Sequence, residues 1–484
     1  MSDFSEYLNS YMEENSINSA QLSRETDIER TVIYKWRKGN RVPANEEIVM
    51  HIADALRMTV VEKQTLIDKY ERLSMGELVV NSYHYIKNLL SKLKNTNIKS
   101  NSMTLKWDMS LKSELELNIV HLNSKEEIVS CITNLFRLII EKEDKIKTLR
   151  LMMQPRYETI QERIQSFFRG SSIRIEQIVC LEQSYQKSYK NLQIFQWVLP
   201  LCFEQLNYEV LYYYDFLSHH INTMSWMPNI LIIGDHVVQF DYEMEQGIAV
   251  KDAQYTETMI AEFDRIKKKA LPFLTSGDNQ MGAMDIYSEI GAELPSTIFE
   301  QPCLGVGIST EIYEEFLYPF PEKEEFMKAM ALQNGDWEGD TFLPPKQKSQ
   351  MEIKSYCSKR GIREFMETGR VNEFPNGFYR PLDMDTRKKV LRRIIYLIRE
   401  GGISYYFLPD EIELPSHIYF YLDGVNKQIT LNRIHEDSVS RVCVKEPSIY
   451  KAFQCFFEYL EKKGMLSGRE EVLRELEEVR KEYW

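Results

Sequence analysis

Glycine and proline are sparse in this 484-residue chain, at 20 and 16 positions, so collagen-like repeats and proline- or glycine-rich disorder are excluded. No run approaches the roughly 18 apolar residues that a membrane-spanning helix needs. The longest apolar stretch, Ile194 to Phe203, is short and holds Gln196 and Pro200. Excess positive charge is also lacking: the net charge is −13, so the chain is no bulk polycation, and any nucleic-acid contact must come from a local patch. The first residues, Met1-Ser2-Asp3-Phe4-Ser5-Glu6, are acidic and have no apolar signal core, so a cytoplasmic location with no membrane partner is expected.

The seven cysteines are odd in number and widely spaced, with no C-x-x-C pair, which points to buried free thiols rather than a disulfide framework. His219, His220 and His236 form the nearest approach to a histidine cluster, but adjacent residues point to different sides of a helix or strand. No metal site and no cofactor are expected. The Walker loop, G-x-S-x-G, H-E-x-x-H and G-x-G-x-x-G are all absent. Gly305-Val306-Gly307 is a lone G-x-G that reads as a turn, and Glu243 and Glu245 read as a solvated polar loop. No catalytic residue is assigned, and the chain is not expected to be an enzyme.

Hydrophobic residues make up 43% of the chain, and at roughly 100–200 residues per domain its length suggests two to four domains. The first 73 residues read as short helices. Phe4, Leu8, Tyr11 and Met12 share one face of a helix over 4–14. Ser19 offers an N-cap for a helix over 20–26, Asp27 and Ile28 interrupt, and a further helix covers 29–38 before Gly39 and Pro43 end it. A fourth helix carries Ile48, Ile52, Ala55 and Leu56, and a fifth begins near Val60. From Arg30 to Arg41 there are five basic residues (Arg30, Lys35, Arg37, Lys38 and Arg41) and no acidic one, whereas the rest of this region is acidic. Charge gathered on one element suits docking on phosphates.

Leu22, Ile28, Ile33, Trp36, Gly39, Arg41 and Pro43 together resemble the Cro/C1-type (XRE) helix-turn-helix of prokaryotic DNA-binding domains. That resemblance implies that Leu22, Ile28, Ile33 and Trp36 pack against Ile48 and Ile52, leaving the 29–38 helix to project into the major groove. By position it assigns base contacts to Arg30, Thr31 and Lys35, and phosphate contacts to Ser19, Arg37, Lys38, Asn40 and Arg41. Three positions depart from the family pattern. Asp27 stands for the turn glycine, Glu29 for the capping Ser or Thr, and Arg37 for a glutamate common late in the helix. The implied partner is double-stranded operator DNA, bound by a homodimer on two half-sites.

Residues 74–110 read as a helical connector ending in a polar linker, Asn95 to Ser102. Beyond it acidic residues outnumber basic ones, and helices over 126–141, 160–168 and 385–400 alternate with apolar strand-like runs at 230–233, 237–242, 403–407, 418–422 and 442–444. The expected fold class is therefore an all-α helix-turn-helix domain (1–73) followed by a larger α/β effector region of two related modules, 111–300 and 301–484. The modules rest on a weak repeat: Ala249-Val250-Lys251-Asp252 matches Cys443-Val444-Lys445-Glu446 at a spacing of 194, and Tyr212-Tyr213-Tyr214 matches Tyr405-Tyr406-Phe407. These aromatic runs read foremost as strand residues in the core, with an apolar cleft between modules as the alternative. Pro228 to Val250 also faintly resembles the non-catalytic phospholipase-D-like modules of TrmB-type regulators. No histidine here is followed by lysine two positions on, so that resemblance implies binding rather than hydrolysis. The leading reading is a sequence-specific transcriptional regulator whose C-terminal region senses a small-molecule or peptide effector or mediates oligomerisation. The alternatives are a peptide-pheromone receptor with an all-helical repeat effector and a DNA-tethered enzyme.

Overall fold

A computed structural model describes residues 2–95, 118–141, 148–204, 206–215, 227–277, 296–319, 323–334, 336–339, 341–343 and 353–484. The chain forms two compact units, one of residues 1–84 with 452–463, the other of residues 85–451 with 464–484. Most of the 95–102 linker, and His219 and His220, lie outside the described residues.

The first unit is helical. Its elements are α1 (Asp3–Glu14), α2 (Ser19–Thr26), α3 (Arg30–Arg37), α4 (Glu46–Ala55) and α5 (Val60–Met75), and Gly76 at φ 93° breaks the chain before α6 (Glu77–Asn95) begins. Each start has a chemical cause. Asn45 caps α4 by accepting from Ile48 N, and Thr59 with Glu62 forms a capping box on α5. The apolar faces close on one core in which Phe4, Leu8, Leu22, Ile33, Val49 and Ile52 are all buried. Ile28 and Ile48 are only partly buried against it, and Val49 takes the interior place expected of Ile48.

Residues 452–463 complete this unit from the far end of the sequence. Glu71 on α5 is 5% exposed, and it accepts hydrogen bonds from Tyr459 Oη (3.0 and 3.1 Å) and Lys463 Nζ (2.7 Å). Lys463 also pairs with Glu46, and the Tyr459 ring stacks on Tyr83 at 4.0 Å. A buried carboxylate is tolerable here because a cation and a phenol satisfy it.

The second unit is α/β. In chain order it contains β1 (Ile119–Leu122), α7 (Lys125–Ile140), β2 (Thr148–Met152), α8 (Glu158–Phe168), β3 (Arg174–Glu182), α9 (Lys190–Cys202) and β4 (Asn207–Asp215). Then come β5 (Asn229–Ile233), β6 (His236–Phe240), β7 (Gly247–Lys251), α10 (Ala253–Lys267), β8 (Leu271–Gly277), β9 (Ser296–Ile298), α11 (Thr310–Phe316) and α12 (Lys323–Asn334). The remainder is β10 (Asp336–Glu338), β11 (Thr341–Leu343), β12 (Ile353–Cys357), α13 (Lys359–Thr368), α14 (Met384–Glu400), β13 (Ile403–Phe407), β14 (Ile418–Asp423), β15 (Gln428–Ile434), β16 (Val439–Val444), α15 (Pro447–Lys462) and α16 (Arg469–Tyr483). The second part of α15 belongs to the helical unit.

Fourteen of these strands make one mixed sheet, in the order β1-β7-β6-β5-β2-β3-β4-β8-β16-β15-β14-β9-β12-β13, and β10 pairs with β11 in a separate hairpin. The first seven strands in this order repeat in the last seven. In each half three strands run parallel (β2-β3-β4 and β9-β12-β13), and the other four are antiparallel to their neighbours. The halves join where β4 pairs antiparallel with β8. The 194-residue repeat thus has a topological basis: β7 and β16 occupy equivalent slots, as do β4 and β13. Between the two matched anchors the strands do not align without gaps because their connections differ in length: residues 216–228 join β4 to β5 but 408–417 join β13 to β14, and 234–235 join β5 to β6 but 424–427 join β14 to β15. A sheet of this size is incompatible with an all-helical repeat effector.

Candidate nucleic-acid interface

Local hydrogen bonds shape the α2–turn–α3 segment. Asn18, rather than Ser19, caps α2, its Oδ1 accepting from Ala20 N and Gln21 N at 3.0 Å, while Gln21 Oε1 accepts from Asn18 N. Asp27 adopts φ 56°, ψ 21°, the left-handed conformation that glycine supplies in related turns. The turn is tied by Ser23 Oγ donating to Ile28 O (2.6 Å) and by His51 Nε2 lying 3.2 Å from Thr26 O. Glu29 precedes α3 and makes no side-chain cap; its carboxylate instead accepts from Thr31 Oγ1 at 2.5 Å.

Ile33 and Trp36 turn the inner face of α3 into the core, at 0% and 3% exposure. The opposite face carries Arg30, Thr31, Tyr34, Lys35 and Lys38, all exposed, at the i, i+1, i+4, i+5 and i+8 spacing of one helical stripe. Asn40 and Arg41 are exposed in the loop that follows. Among the described residues, Arg30, Lys35, Lys38 and Arg41 make no ion pair. Tyr34, 54% exposed, had not been singled out from sequence, although it sits three residues from Thr31 and four from Lys38 on the same stripe.

Two residues assigned to phosphates are placed differently. Arg37 is mostly enclosed: its Nε and Nη2 donate to Asn9 Oδ1 at 2.9 and 2.7 Å, its Nη1 donates to Ser19 Oγ at 3.1 Å, and Glu13 lies 3.6 Å away. Ser19 is itself 7% exposed. The pair therefore braces α1, α2 and α3 together, and the freely presented cations are Arg30, Lys35, Lys38 and Arg41.

In the α/β unit the candidate chemical features resolve into structure. Gly305-Val306-Gly307 is a buried turn in which a Cβ on Gly305 would meet Glu373 Oε2 at 2.9 Å, and one on Gly307 would meet Ile394 at 3.1 Å, so the glycines serve packing. Glu243 is exposed and lies 3.7 Å from Arg156. All seven cysteines are free thiols, six of them buried, and burial pushes Cys131 and Cys180 up to about 12, where a thiol stays protonated. Among the described residues no group of three His, Cys, Asp or Glu side chains could hold a metal ion, and no helix is long and apolar enough to cross a membrane. Tyr405 and Phe407 are core residues on an edge strand, whereas β4, with Tyr212 to Tyr214, lies in the middle of the sheet, so the two aromatic runs do not share a cleft.

Comparison with known proteins agrees with the N-terminal geometry. Solved structures with detectable likeness include TrmBL2, an archaeal chromatin protein (11% identity, TM-score 0.21, covering 55% of this chain and 93% of that one). Others are phosphatidylserine synthase from Haemophilus influenzae Rd KW20 (10%, 0.22, 72% and 87%) and polyphosphate kinase from Porphyromonas gingivalis (9%, 0.21, 69% and 48%). At these scores the likenesses carry no argument about activity. No curated protein sequence matches the chain significantly. The family profile described as a Cro/C1-type HTH DNA-binding domain matches residues 7–62, the span that holds the capped α2, the left-handed turn at Asp27 and the exposed cationic stripe of α3. The N-terminal region of this protein is a Cro/C1-type helix-turn-helix DNA-binding domain.

Proposed function

We propose that the protein is a sequence-specific transcriptional regulator that inserts α3 into the major groove of operator DNA. The observation that carries this reading is the two-faced character of α3: Ile33 and Trp36 lock one side into the core, while Arg30, Thr31, Tyr34, Lys35 and Lys38 stand exposed on the other. Arg30 and Lys35 can donate to guanine O6 and N7, and the Thr31 methyl suits thymine. Lys38, Asn40 and Arg41 hold phosphates, and Ser19 and Arg37 serve by bracing the three helices. One helix of this kind reads few base pairs, so the functional species is a homodimer on two half-sites about one helical turn apart. The α/β unit supplies the regulatory input, without catalysis of its own.

The test has two stages. Genomic fragments retained by the purified full chain are sequenced to define an operator. Gel shifts at fixed salt then compare wild type with Arg30→Ala and Lys35→Ala, both expected to lose operator binding while keeping the wild-type melting curve. Unchanged affinity in both variants would overturn the assignment of α3.

A further inference from the structure

The first half of the large sheet contains a cavity of about 380 Å³, within the range of small-molecule sites. It sits at the carboxyl ends of the parallel strands: Met152 closes β2, Cys180 and Tyr213 lie near the ends of β3 and β4, and Asn229 opens the antiparallel β5 alongside. This is where α/β sheets hold ligands, because neighbouring connections diverge there and leave a crevice.

The lining has a definite chemistry. Aromatic side chains surround it: Tyr85, Tyr189, Trp197, Tyr213 and Tyr242. Two cations, Arg156 and Lys190, line it, and among the described residues no carboxylate does, although the chain as a whole carries a net charge of −13. The Arg156 guanidinium lies over the Tyr242 ring at 3.9 Å, which fixes its position. Its neighbour Glu243, 3.7 Å away, is 66% exposed and outside the lining, so solvent screens it. Lys190 has no ion-pair partner among the described residues. Gln154, also in the lining, donates its Nε2 to Cys180 O at 3.2 Å and keeps a buried Oε1 without a hydrogen bond, an acceptor that an N–H donor would satisfy.

The other half of the sheet is built differently at the same place. Register makes Tyr356, paired with Tyr406, the counterpart of Cys180, paired with Tyr213, and Tyr356 stacks on Tyr406 at 5.0 Å. Phe299 packs edge-on against Tyr419 at 5.5 Å, and Glu300 is paired with Arg360. Rings stack on one another in one copy of the place and surround a hollow in the other.

We propose that this cavity binds a planar aromatic carboxylate, its ring held between the tyrosines and Trp197 and its carboxylate between Arg156 and Lys190. As an input to transcription this rests on the regulator reading above; binding itself does not, and the test below reads binding without DNA.

The experiment uses the full chain in calorimetry and thermal-shift assays with three probes: indole-3-acetate for ring plus charge, indole for the ring alone, and acetate for the charge alone. Indole-3-acetate is expected to bind saturably and at least about tenfold more tightly than indole, to raise the melting temperature, and to quench a fluorescence component that Trp197→Phe removes. Acetate is expected not to bind at equal concentration. Arg156→Gln and Lys190→Gln should each weaken indole-3-acetate about tenfold and leave indole unaffected. Lys190→Gln decides alone if loss of the Arg156–Tyr242 contact unfolds the other variant. Absence of saturable indole-3-acetate binding, equal affinity for indole, or undiminished affinity in Lys190→Gln overturns the proposal.

Discussion

Replacing Arg37 separates a structural clamp from a phosphate contact. Its guanidinium makes two bonds to Asn9 Oδ1 and one to Ser19 Oγ, joining α3 to α1 and α2. Hydrogen bonds involving a charged group contribute about 1.5–3 kcal/mol each, and they are not additive when they share one side chain. Removing all three also leaves the buried Ser19 hydroxyl without its donor, so Arg37→Ala should destabilise the helical unit by about 2–3 kcal/mol. Hydrogen exchange monitored by mass spectrometry reads this directly, as local opening in α1 to α3 should become about 30- to 150-fold more frequent. Arg37→Lys sharpens the comparison, because lysine keeps the charge but cannot form the planar fork. If Arg37 clamps, the lysine variant exchanges nearly as fast as the alanine variant. Unchanged exchange in both, together with a lower salt slope for DNA binding in Arg37→Ala alone, would refute the clamp and restore Arg37 to the phosphate-contact set.

Two further outcomes are expected. Asp27→Gly should raise the stability of the helical unit by about 0.5–1 kcal/mol, since glycine adopts the left-handed turn without the steric cost that Asp27 bears at φ 56°; a lower urea midpoint would contradict this. Glu373 is buried, accepts from Leu304 N at 2.7 Å, and is pushed by burial to about 7, above the ordinary 4.5. Its folded form holds the proton more tightly than its unfolded form, so its contribution is full below pH 4.5 and is lost as pH rises through about 7, a change of about 3 kcal/mol. Glu373→Gln should flatten that part of the stability–pH curve in denaturant titrations at pH 5 and 8; an identical pH dependence in the variant would refute the assignment.

Much of the helical unit was legible because its determinants are local. Apolar spacing in residues 4–14 and the left-handed turn at Asp27 act within a few residues, and the helix ends came within one or two positions of the observed ones, although the α2 cap is Asn18 rather than the expected Ser19. The placement of Arg37 was not legible, since its partners Asn9 and Ser19 lie 28 and 18 residues back and become neighbours only through packing. Tyr34 was overlooked because an aromatic in a short helix reads as core, although helical geometry puts it on the exposed stripe. In the α/β unit, apolar runs located several strands to within about three residues, but the sheet order depends on non-local register and on insertions between the repeated strands. The cavity lining draws on six separated elements and their flanks, so residue spacing alone could not assemble it.

Tyr459 and Lys463 close on Glu71 from 388 and 392 residues further along the chain. Until residues 459–463 have emerged, a nascent chain presents α5 with its carboxylate still lacking a counter-charge, so the helical unit gains this buried contact only after every strand of the large sheet has been made.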